Sequence, residues 1–119
     1  MKNNKLIDAI VAGIEEKKGQ NITVLDLRGI GDTITQYLVI CEGNTPIQVN
    51  AIQDSVWDEV HKRTGEKPVS TDGTRNCLWV AMDYVDVAVH VFVPEARTFY
   101  DIDNLWEDAV MVKGAKFST

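Results

Sequence analysis

The stretch WVAMDYVDVAVHVF, residues 79 to 92, constrains this fold more than any other part of the chain. It is rich in β-branched and aromatic residues and bends at an acidic corner, so it reads as two strands of an antiparallel hairpin. With Tyr84 and Val85 as the central turn residues, Met82 faces Val87, Val80 faces Val89 and Leu78 faces Val91, which makes one side apolar core. Side chains alternate across a strand, so the other side pairs Asp83 with Asp86, Ala81 with Ala88 and Trp79 with His90. That second face is an indole and an imidazole beside a flat alanine strip, rimmed by two carboxylates. Val85 suits the turn poorly, because a β-branched residue resists positive φ, and a longer turn is the alternative. Trp79 finds the core side already filled. It needs another cover, either a helix of the same chain or a partner.

Around this hairpin the remaining elements alternate. Leu6, Ile7, Ile10 and Ile14 recur at helical steps, which predicts a helix over 4–18. NITVLDL (21–27) and QYLVICE (36–42) are bounded by glycines and read as buried strands. In TPIQ (45–48), Thr45 can cap, Pro46 can open and Gln48 can complete a capping box. The helix that follows carries Val49, Ile52, Val56 and Val60 on one stripe and stops at Gly65. KPVST (67–71) is a short edge strand, since Pro68 cannot donate to a ladder, and DGTRN (72–76) is a turn. Pro94 opens a short helix, PEARTFYD, followed by a turn containing DNLW. This order predicts an α/β domain, a mixed sheet with flanking helices, over residues 1–110, and a loose tail over 111–119.

Bulk properties narrow the function. The 119 residues carry 12 basic and 18 acidic side chains, a formal charge of −6 and a pI near 4.8, a balance that repels a bare phosphate backbone. A charged partner is therefore expected to be a basic protein, without sequence-specific nucleic-acid binding. Cys41 and Cys77 match no ligand spacing and read as buried thiols of a reducing cytoplasm. The first nineteen residues lack the apolar core of a signal peptide, and no run reaches the roughly 18 apolar residues of a membrane span.

Chemical readings of individual motifs are weaker than their packing readings. Asp83 and Asp86 could hold a hard cation, but no third carboxylate or histidine arrives at a recognisable spacing, and aspartate is common in turns. Asp101 and Asp103 of DID resemble paired metal ligands yet follow a short helix, where capping explains them. CEGNTPIQ leads into a helix N-terminus but lacks the lysine and glycines of a phosphate loop, and GIG (29–31) lacks the third glycine of a dinucleotide fingerprint. His61 suits the end of its helix as a dipole partner; His90 has no nucleophile beside it. Trp57 and Trp106 read as packing. Tyr84, apolar with a polar tip, suits an interface anchor at an exposed turn. Neither a cofactor nor a metal is expected.

VLDLRGI (24–30), YLVICEGNTPIQVNAIQDSV (37–56) and WVAMDYVDVAVHVFVPEARTFYDIDNLWEDA (79–109) together resemble the ribosomal silencing factor family, also called Iojap-like. The resemblance runs in order over nearly the whole chain. It implies a fold similar to the nucleotidyltransferase core without that core's catalytic carboxylates. It also implies binding to the large ribosomal subunit through ribosomal protein fourteen, blocking entry of the small subunit and lowering translation when nutrients are scarce. By position it transfers partner contact to Trp79, Asp83, Tyr84, Asp86 and His90. Two departures stand out: Val85 replaces a usual glycine, and Ile47 stands where the family's loop carries arginine. A nucleotide-binding enzyme of the same fold, using CEGNT, is the alternative, and a homodimer that covers the Trp79 face with itself is a third reading.

Overall fold

A computed structural model of the chain describes residues 2–28, 35–101 and 110–113. In order these form α1 (Lys2–Glu16), β1 (Gln20–Asp26), β2 (Tyr37–Glu42), α2 (Pro46–Thr64), β3 (Ser70–Asp72), β4 (Trp79–Asp83), β5 (Val87–Phe92), α3 (Pro94–Tyr100) and β6 (Val110–Lys113). The strands make one sheet in the order β3-β4-β5-β2-β1-β6. Among the described strands only β2 and β5 run parallel; every other neighbouring pair is antiparallel. This is the expected mixed sheet with flanking helices. GIG (29–31), Asp103 and Trp106 lie outside the described residues.

The helix stripes explain the layers. Leu6, Ile7, Ile10 and Ile14 of α1 and Val49, Ile52, Val56 and Val60 of α2 join Val80, Met82, Val87, Val89 and Val91 in one buried cluster on a single face of the sheet. The two helices approach closely at Gly13, where a Cβ would lie 2.7 Å from the Cα of Val56. The start of α2 is built as its sequence predicts: Thr45 Oγ1 accepts from the N–H of Gln48. Gln48 reaches further than a simple capping box. Its Oε1 accepts from the N–H of Asn44, while its Nε2 donates to the carbonyls of Lys17 and Lys18, fastening the end of α1 to the start of α2. Gly65 closes α2 in the left-handed region.

Three expectations need correction. The hairpin register is shifted by two residues, so that Met82 faces Val89, Asp83 faces Ala88 and Trp79 faces Phe92. The connecting residues are Val85 and Asp86, and Tyr84, whose N–H donates to the Val87 carbonyl, opens the turn instead of standing at its centre. Tyr84 consequently points into the core and is buried, while Leu78 leaves it and is exposed. The third correction concerns residues 111–113 of the expected 111–119 tail, which pair with β1; residues 114–119 lie outside the described residues. Four residues carry no turn signal of their own, and pairing with a distant strand gives them their structure.

Candidate docking surface

A shift of two residues preserves the parity of side chains, so the two faces of the hairpin are those the sequence predicts. On the side away from α1 and α2 stand Trp79, Ala81 and Asp83 from β4 and Ala88, His90 and Phe92 from β5. Trp79 is the hub. Its ring centroid lies 5.0 Å from Phe92, 5.7 Å from His90 and 4.6 Å from Tyr100, the last residue of α3. Its Nε1–H donates to His90 Nδ1 at 2.8 Å. A helix of the same chain supplies part of Trp79's cover: α3 lays Tyr100 on the indole, and the ring remains half-buried.

Further along the same face the sheet is apolar and closed. Leu25, Leu27, Leu38, Ile40 and Phe92 form a second buried cluster against which Trp79, Ala88 and Ala96 pack. The β4–β5 end is more open, with Ala81, Ala88 and His90 all half-buried. Acidic groups border it. Asp83 accepts the N–H of Val85 at 2.7 Å and so holds the turn, Asp86 follows, and Asp72 of β3 stands across from Ala81. α3 adds the exposed Glu95, and Phe99 and Tyr100 expose much of their rings.

The site's electrostatics favour neutral His90. Burial pushes its pKa from 6.5 down to about 4, and a nitrogen that accepts the indole proton cannot itself be protonated. The ring is therefore neutral with its proton on Nε2. Tyr84 does not belong to this surface: its hydroxyl sits in the α2-side core, without a hydrogen-bond partner among the described residues, and burial raises its pKa. Cys41 and Cys77 are both free and buried, and burial raises the Cys41 thiol to about 12. Glu42 of the CEGNT segment is committed to an ion pair with Arg97 at 3.1 Å. Among the described residues no three His, Cys, Asp or Glu side chains gather in a way that could hold a metal. None of the described helices is long and apolar enough to cross a membrane.

Tyr100 and Phe92 join the site, and neither is among the residues the sequence assigns to it. Pro94 in PEARTFYD marks a helix start, but the helix's direction across the sheet has no local signal. Phe92 could have been found, since it shares the parity of Trp79 and His90.

Fold and surface together define an α/β domain with a mixed sheet that sets Trp79, His90, Phe92 and Tyr100 beside Asp83 and Asp86 on one sheet face. Comparison with known proteins places it. The family model for "Ribosomal silencing factor during starvation" matches residues 1–118. The ribosomal silencing factor of Halalkalibacterium halodurans is 33% identical over 113 residues, covering 95% of each chain. That of Bacillus subtilis is 32% identical over 109 residues, covering 92% of this chain and 91% of the relative. A crystal structure of a protein from Chromobacterium violaceum matches with a TM-score of 0.84 at 29% identity over 98% of each chain. The chain belongs to the ribosomal silencing factor family. Membership makes it a ribosome-associated regulatory factor that silences translation.

Proposed function

We propose that this chain binds the large ribosomal subunit through ribosomal protein fourteen and sterically blocks joining of the small subunit, without catalysing a reaction. Contact is made by the β4–β5 face, with Trp79 as the aromatic anchor, His90 fixing its ring, and Asp83 and Asp86 facing a basic protein. The observation that carries the reading is the Trp79 cluster itself: aromatic rings on an open, alanine-floored sheet face with acidic borders, opposite a face fully occupied by α1 and α2. Half-exposed aromatic area of this kind is what interface anchors present. Opposite charge speeds encounter, and apolar contact sets residence time. Tyr84, as a buried core residue, drops out of the contact set.

Sedimentation of mixed subunits tests this. The protein is expected to raise the free-subunit fraction. Trp79→Ala should weaken large-subunit binding by roughly 30-fold, as truncation of an aromatic anchor worth about 2 kcal/mol does. Undiminished binding and unaltered subunit separation by a folded Trp79→Ala variant would remove this face from the interface.

A further inference from the structure

We propose that Arg97 is a positioning residue for the docking surface, holding α3 so that Tyr100 lies across Trp79. This inference rests on the reading of that face as the ribosome contact. α3 has seven residues, buries none of them, and starts at Val93 without a side-chain cap. A helix so short is marginal by itself, so its place on the sheet comes from tertiary ties. The strongest polar tie is at Arg97. Its Nη1 donates to the Asn21 carbonyl at 2.6 Å and to Glu42 Oε2 at 3.1 Å, and its Nη2 donates to Thr23 Oγ1 at 3.1 Å. Asn21, in the left-handed region at φ 52, turns its Nδ2 onto the other oxygen of Glu42 at 3.1 Å. The ion pair is only 12% and 13% exposed, so water and salt screen it little.

The fold converts this tie into geometry. Asn21 and Thr23 are on β1, Glu42 is the last residue of β2, and Trp79 is the first of β4, so all lie at one end of the sheet. β5 separates β2 from β4 in the strand order. α3 therefore crosses several strands, with Arg97 moored on the β1–β2 side and Tyr100, one helical turn later, resting on Trp79. A planar guanidinium with three acceptors among the described residues sets the helix's place and roll in a way that a single ammonium cannot. Release of Arg97 frees the Tyr100 ring and alters the shape around the indole.

The experiment uses a Trp57→Phe, Trp106→Phe background, in which Trp79 is the only indole. Arg97→Gln and Arg97→Lys are expected to raise acrylamide quenching of Trp79 and move its emission to longer wavelength, as Tyr100→Ala does. Large-subunit affinity is expected to fall roughly tenfold for Arg97→Gln and for Tyr100→Ala, the loss of one aromatic contact. The double variant should be no weaker than Tyr100→Ala alone, because the two residues act as one unit. Should Arg97→Gln fail to fold, Glu42→Gln supplies the same readout, with a smaller change in quenching. Unchanged quenching in every folded variant, or affinity losses that simply add, would overturn the positioning role. Raised quenching with unimpaired ribosome binding in all variants, Trp79→Ala included, would instead leave Arg97 holding Tyr100 while removing the face from the interface.

Discussion

Trp79 Nε1 donates to His90 Nδ1 at 2.8 Å across two antiparallel strands, and this bond needs an unprotonated acceptor. Burial lowers the histidine from 6.5 to about 4. The unfolded chain therefore binds the proton first, and the pair's contribution is fully present above pH 6.5 and lost as pH falls toward 4. At 1.36 kcal/mol per pH unit, the fall from 6.5 to about 4 makes the whole effect about 3 kcal/mol. Urea unfolding of wild type and His90→Gln at pH 7 and pH 4.5 checks it: wild type should lose more stability between the two than the variant. Equal losses would show that His90 titrates normally in the folded protein.

Tyr84→Phe separates a core residue from an interface anchor. The hydroxyl is buried with no partner among the described residues, a costly arrangement that phenylalanine relieves. Stability should stay level or rise by up to about 1 kcal/mol, since only the unpaired polar group is removed. Large-subunit affinity should be unchanged. A loss of affinity in the folded variant would return the hydroxyl to the contact surface.

Val85→Gly tests the strain in the turn. Val85 sits at φ 73, and the N–H of Asp86 bonds back to the carbonyl of Tyr84, a three-residue turn with positive central φ that is rare for L-residues. Glycine removes about 1–2 kcal/mol of left-handed strain and adds roughly 0.5–1 kcal/mol of backbone entropy, so the variant should gain about 0.5–1 kcal/mol. Melting temperature is the measure. A drop would mean that the half-exposed valine packs more usefully than its backbone suggests.

Gly13→Ala should act in the opposite sense to helix propensity. Alanine favours a helix over glycine by about 1 kcal/mol. Here its Cβ would meet the Val56 Cα at 2.7 Å and the Ser55 carbonyl oxygen at 2.9 Å, both backbone atoms of α2. Overpacking of this kind costs about 1–3 kcal/mol and forces the helices apart. Denaturant unfolding should show a net loss. A net gain would show that α1 and α2 can separate without penalty.

What the sequence reveals here follows from what is local. The periodic stripes of α1 and α2, the Thr45 cap and the stop at Gly65 are written in neighbouring residues, and the structure places them as read. The faces of the hairpin survive a wrong register because a two-residue slip leaves Trp79 and His90 on the same side. Tyr84 and Leu78 changed places because they flank the stretch, where the choice of turn residues decides which side chains enter the core. The crossing of α3 and the mooring of Arg97 on Asn21, 76 positions away, had no local trace. The β6 pairing with β1 is of the same kind.

Acidic rim residues should control the rate of encounter more than the strength of the complex. Asp83 also holds the turn through its Oδ1, so Asp83→Asn, which keeps a carbonyl acceptor for the Val85 N–H, removes charge while sparing the fold. Among the described residues the Asp86 side chain holds no such bond, and Asp86→Lys changes the local charge by two. At low salt the first should slow association with large subunits roughly two- to threefold and the second about tenfold, with dissociation little changed. At about 1 M salt the Debye length shrinks to about 3 Å, and the three proteins should associate at similar rates. Stopped-flow or surface-capture kinetics across a salt series measures this. If both variants match wild type at every ionic strength, the aspartates serve the hairpin alone, and the partner is met by apolar contact without electrostatic guidance.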